Sequence, residues 1–99
     1  MNKMRPIHPG EVLREEFLLP HGLSANALAQ ALRVPAPRIN DIVRERRGVT
    51  PDTALRLARF FGTTPQFWLN LQANHDAWGA DQAAANMKIE RFEVGAAVA

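Results

Sequence analysis

Residues 24–44 read Ser24-Ala25-Asn26-Ala27-Leu28-Ala29-Gln30-Ala31-Leu32-Arg33-Val34-Pro35-Ala36-Pro37-Arg38-Ile39-Asn40-Asp41-Ile42-Val43-Arg44. Ser24 is a good helix N-cap, and Leu28, Ala29 and Leu32 follow at helical spacing. Pro35-Ala36-Pro37 then fits only a turn or the first turn of a new helix. Ile39, Ile42 and Val43 resume the helical spacing. A capped short helix, a tight turn and a second amphipathic helix make the helix-turn-helix plan. Ala29 is small where the second helix packs closely, and Val34 is expected to tuck inward from the turn at Leu32-Arg33-Val34. Two residues sit awkwardly in this scheme. Arg33 takes the turn position where glycine is usual, at roughly 1 kcal/mol in left-handed geometry. Pro35 stands where a Ser or Thr cap would be expected, so the second helix starts without a side-chain cap.

With Ile39, Ile42 and Val43 turned to the core, Ala36, Pro37, Arg38, Asn40, Asp41 and Arg44 must face outward. In this motif the N-terminal part of the second helix enters the major groove and the preceding helix crosses the backbone. Ala36, Pro37, Arg38 and Asp41 are therefore the candidate base readers. Arg38 suits guanine O6 and N7 bidentately, Asp41 a cytosine amino group, and Ala36 and Pro37 only apolar contact such as a thymine methyl. Ser24, Asn26, Asn40, Arg44, Arg46 and Arg47 are the candidate phosphate contacts that fix register. Charge supports this placement. Between Arg33 and Arg59 seven arginines face three acidic residues, a surplus of +4, whereas the rest of the chain carries −2. The bland alternative is a solvated, salt-bridged helical surface.

Outward from this unit, punctuation divides the chain into helices, with no strand-like alternation. The first helix is expected to start at Pro9, with Ile7 and Val12 spaced as a hydrophobic staple, and to run through Leu13, Phe17 and Leu18 to Pro20-His21-Gly22. The helix after the turn is expected to close at Arg46-Arg47-Gly48. Thr50-Pro51 opens a fourth helix ending at Phe61-Gly62, and Thr64-Pro65 opens a fifth carrying Phe67, Trp68, Leu71 and Trp78. This predicts an all-α, five-helix bundle. The expected organisation is one helix-turn-helix domain over residues 1–78 and a C-terminal extension over 79–99. In that extension, residues 83–89 could prolong a helix and residues 95–99 read as a frayed tail.

Composition narrows the function. With 99 residues, 46% hydrophobic and 22% charged, the chain reads as one ordinary globular domain with little core to spare. No run of about 18 apolar residues offers a membrane span, and no apolar signal core follows Met1-Asn2-Lys3-Met4-Arg5-Pro6. The absence of cysteine excludes disulfides and thiolate metal sites and agrees with a cytoplasmic setting. An enzyme is not expected: there is no Gly-rich phosphate loop, nucleophile elbow or H-E-x-x-H. His8, His21 and His75 lie in three separate segments, so neither metal nor other cofactor is expected.

Four stretches carry a resemblance. Residues 8–17 (His8-Pro9-Gly10-Glu11-Val12-Leu13-Arg14-Glu15-Glu16-Phe17), Val34-Pro35-Ala36-Pro37-Arg38-Ile39, residues 47–57 starting Arg47-Gly48-Val49-Thr50-Pro51, and Phe61-Gly62-Thr63-Thr64-Pro65-Gln66-Phe67-Trp68-Leu69-Asn70-Leu71-Gln72 together resemble the HigA family of antitoxins. The resemblance spans roughly residues 5–78, and the H-P-G-E opening joined to F-W-L-N-L-Q makes it narrow. It implies the λ-repressor-like fold of the Xre group. It also implies a dimeric antitoxin of a type II toxin–antitoxin pair that represses its own operon and neutralises a RelE-like, mRNA-cleaving toxin. Pro35 looks normal for this branch. Pro37, where the family pattern often has a polar residue, and Arg33 depart from it.

Two further surfaces follow. Helix five carries more large apolar residues than one helix face can hide, with Phe67 and Leu71 expected in the core and Trp68, Leu69 and Trp78 left as candidates for a two-fold dimer contact. Such a dimer would place two reading helices about 34–36 Å apart, one turn of duplex. A basic, RNA-binding toxin would be met by acidic groups, and Glu11, Glu15 and Glu16 form the densest acidic patch. An ordinary acid bias at a helix N-terminus explains the same residues. The readings that remain are an antitoxin that also represses, a stand-alone repressor, and a helical interaction module without DNA binding.

Overall fold

The computed structural model describes residues 5–92. Among the described residues the chain is all-α, with five helices and no strand. They are α1, which starts at Pro9–Val12 and continues as a π-helical segment, Leu13–Leu18; α2, Ala25–Leu32; α3, Ala36–Val43; α4, Pro51–Phe61; and α5, Pro65–Ala84. The expected tail at residues 95–99 lies outside the described residues.

Each helix start has a local cause. Ser24, Thr50 and Thr64 cap α2, α4 and α5 through their hydroxyls, with proline at the first position of α4 and α5. Pro35 precedes α3 without a side-chain cap, as its chemistry requires. Arg33 ends α2 in the left-handed conformation (φ 60°, ψ 46°), and the following Val34 N–H donates to the Ala29 carbonyl at 3.0 Å. The glycine-type turn is thus made by an arginine. At the start of α1 the cap is a histidine: His8 Nδ1 accepts from the Gly10 N–H at 2.8 Å, while the expected staple residue Ile7 is exposed.

Two helix bodies differ from the sequence expectation. After Val12, the Leu19 N–H donates to the Arg14 carbonyl, five residues back, at 3.0 Å. In an α-helix, positions five apart diverge by about 140°. The wider turn lets both Leu13 and Leu18 reach the core. α3 ends at Val43 rather than at residues 46–48, because Glu45 turns left-handed (φ 61°) and the Arg46 N–H closes on the Asp41 carbonyl at 2.8 Å. The Arg14 guanidinium also binds the Val43 carbonyl. Arg46 and Arg47 therefore sit in the loop beyond α3.

The core joins Leu13 and Leu18 of α1, Leu28 and Leu32 of α2, Ile39 and Ile42 of α3, Leu57 of α4 and Trp68 of α5. Trp68 corrects the sequence reading. It is fully buried and cannot serve a dimer contact, whereas Phe67, expected inside, is 39% exposed. The stripe of α5 turned inward runs Pro65, Trp68, Gln72, His75, Trp78, which leaves Phe67 on its flank. The indole N–H of Trp68 donates to Thr63 Oγ1 at 2.8 Å, so burial leaves no orphan donor. α5 also runs unbroken through Gly79 to Ala84, across the expected boundary at 78/79. Beyond a turn at 85–86, residues 87–92 have no regular structure.

α1 crosses α3 closely enough that a Cβ on Gly10 would lie 1.8 Å from the Ile42 carbonyl oxygen. Backbone on both sides cannot yield as a side chain would. Gly10→Ala is expected to destabilise the domain by about 3 kcal/mol, the upper end of overpacking costs, and a urea titration of the variant checks it.

Candidate nucleic-acid interface

Ile39 and Ile42 are fully buried, and that orientation sets the opposite side of α3. Pro37 and Arg44 are exposed, Arg38, Asn40 and Asp41 half-buried. Ala36 packs partly against the core, so its methyl is less available to a base than expected. The fold thus brings Pro37, Arg38, Asp41 and Arg44 to one outward row, with exposed Arg46 and Arg47 in the loop that follows.

Arg38 is held. Its Nη1 donates to Asp52 Oδ2 at 2.8 Å, and the same oxygen accepts from Arg56 Nε at 3.0 Å. Arg56 in turn donates through Nη1 to the Leu32 carbonyl at the end of α2, at 2.7 Å. The two arginines hold the Asp52 carboxyl below the usual carboxylate range, Arg56 first. All three side chains are partly exposed, so the network contributes orientation more than stability.

Several expected phosphate contacts already have internal partners. Ser24 Oγ accepts from the Ala27 N–H at 3.0 Å. Asn40 Nδ2 donates both to Asn26 Oδ1 at 2.8 Å and to the Ala36 carbonyl at 3.0 Å, tying α3 to α2. Arg44, Arg46 and Arg47 are the exposed cations of this edge. Beside them an open cleft of about 590 Å³ runs between Arg38, Arg47, Thr50 and Asp52 on one side and Gln72 and Asp76 of α5 on the other. Gln72 Oε1 accepts from the Val49 N–H at 2.6 Å and its amide donates to Asp76 at 2.9 Å, so α5 anchors the arginine-bearing loop.

The sequence reading missed Asp52, Arg56 and Gln72. The Asp52–Arg56 pair was legible as an i,i+4 couple on α4. The link to Arg38, fourteen residues away, had no local signal.

The other candidate residues lie elsewhere. Among Glu11, Glu15 and Glu16 on α1, Glu15 pairs with Arg14 at 3.0 Å, which weakens the acidic patch. Leu69 and Trp78 are half-buried on α5. The histidines are not scattered as expected: His8 and His75 meet edge to face with ring centroids 4.8 Å apart. Among the described residues, no group of three or more His, Cys, Asp or Glu could hold a metal ion, and no helix is long and apolar enough to cross a membrane.

Burial, and then the neighbouring His75, push the His8 pKa below its ordinary 6.5. Its Nδ1 accepts from Gly10 only when unprotonated, so the cap is fully present above the unfolded pKa and is lost as pH falls through the lowered folded value. As pH falls from about 6.5 through the lowered folded value, the wild type is expected to lose stability that His8→Asn retains, because asparagine caps without titrating. Equal losses in thermal melts of the two proteins would count against the cap.

Comparison with known proteins places these features in a family. The helix-turn-helix family pattern matches residues 13–68. Virulence-associated protein I of Dichelobacter nodosus is 58% identical over 88 residues, covering 89% of this chain and 82% of that protein. Antitoxin HigA-1 of Vibrio cholerae is 42% identical over 77 residues, 77% of this chain and 71% of that protein. Among solved structures, the Pseudomonas aeruginosa antitoxin HigA with the higBA promoter superposes with a TM-score of 0.79 at 50% identity, over 90% of this chain and 100% of that one.

Proposed function

The chain belongs to the HigA family of helix-turn-helix proteins, and from that premise we propose that it is an antitoxin that binds operator DNA in its own promoter as a dimer and neutralises a RelE-like, mRNA-cleaving toxin. The observation that carries the reading is half-identity along nine-tenths of the chain to an antitoxin solved with a promoter. The outward row of α3 supports it. On this reading Arg38 and Asp41, on the outward side of α3, meet base edges, and the exposed Arg44, Arg46 and Arg47 meet phosphates. Leu69 and Trp78 on α5 are the proposed dimer contacts. Glu11 and Glu16, with Glu15 drawn to Arg14, are the acidic groups offered to a basic toxin.

Two measurements test it. The neighbouring small reading frame is induced alone and with this chain. Growth arrest that co-expression relieves is the expected outcome, and no arrest, or unrelieved arrest, would leave a DNA-binding repressor without the toxin role. A gel-shift titration on the chain's own upstream DNA should show affinity falling steeply with salt as phosphates are neutralised. A flat response would argue against DNA as the ligand.

A further inference from the structure

An arginine reads guanine well only if its guanidinium plane is presented at a fixed angle, and a long side chain on a helix surface has many rotamers to lose. On the face of α3 assigned to the groove, Arg38 is not left to itself. Asp52 Oδ2 accepts from its Nη1 at 2.8 Å, and the bond joins α3 to the first turn of α4. Asp52 is in turn fixed by Arg56 Nε at 3.0 Å, and Arg56 by the Leu32 carbonyl at 2.7 Å. The chain of contacts therefore ends on the backbone of α2, the other helix of the motif. Arg38 keeps its Nε and Nη2 protons for a bidentate contact.

We propose that Asp52 is a specificity-determining positioning residue, which orients Arg38 through α4 so that it distinguishes guanine from other bases. This rests on the DNA-binding reading above. Asp52 itself carries negative charge toward the DNA side, so its presence opposes unspecific phosphate binding while sharpening one base contact. That opposition gives it a signature that a residue serving only stability lacks.

The test measures affinity on the upstream operator with every base pair substituted in turn, for wild type, Arg38→Ala, Asp52→Ala and the double variant, alongside unrelated duplex DNA and thermal melts. Arg38→Ala should erase a guanine preference at one base pair of each half-site. Asp52→Ala should reduce that same preference about tenfold, leave other positions unchanged and raise affinity for unrelated DNA. In the Arg38→Ala background, Asp52→Ala should add no further loss of preference. An undiminished guanine preference in Asp52→Ala, where Arg38→Ala has erased it, overturns the inference and leaves the DNA reading standing. A loss spread evenly over all positions with a lowered melting temperature also overturns it, as a folding effect. If Arg38→Ala changes no position, the assignment of α3 as reader fails, and this inference with it.

Discussion

Trp68→Ala is expected to remove about 3–5 kcal/mol of stability, a large share of the 5–15 kcal/mol typical of a domain. The side chain is fully buried, packs at 5.2 Å between ring centroids on Phe17 and at 5.0 Å on Phe67, and satisfies its indole N–H on Thr63. Truncation would empty the centre of the bundle and strand a hydroxyl partner. Urea denaturation followed by circular dichroism measures the loss. Trp78→Ala provides the contrast, since its half-exposed ring is the proposed contact with a second subunit: it should shift the oligomeric state in sedimentation more than the unfolding midpoint. A Trp68→Ala protein of undiminished stability that dissociates into monomers would restore the dimer role to Trp68.

Reversing charge at Arg38 and Arg44 together is expected to cut operator affinity by at least about 100-fold, with an unaltered circular-dichroism spectrum. A bidentate base contact accounts for about 1–3 kcal/mol, and replacing a phosphate-facing cation by an anion adds repulsion. Neither side chain belongs to the core, so the helices should persist. The slope of log affinity against log salt should become shallower by about one, as the Arg44 phosphate contact and its released counterion are lost. Unchanged binding would mean that another surface meets the DNA.

The local elements were legible because their causes are local. A hydroxyl at the N-cap satisfies backbone N–H groups only two or three residues away, and the Ser24, Thr50 and Thr64 caps stand as read. Apolar residues three and four apart must share a face, so burial of Ile39 and Ile42 follows, and with it the outward row at Pro37, Arg38 and Asp41. Even the strained left-handed Arg33 is visible from its place in the motif.

The errors share another cause. Whether Trp68 or Phe67 faces inward depends on the angle at which α5 meets the bundle, and adjacent aromatics on one helix give no means of choosing. The early end of α3 depends on Glu45 turning left-handed and on Arg14 reaching the Val43 carbonyl from another helix. The His8–His75 contact spans 67 positions, and the Arg38–Asp52–Arg56 network, ending on the Leu32 carbonyl, joins three helices. By itself the sequence determined the five helices, their caps and the outward face of α3, since propensity and periodicity act within a few residues. Which aromatic fills the core, where the arginine-bearing loop begins and what holds Arg38 were decided by tertiary structure, because only packing brings such distant side chains within hydrogen-bonding range.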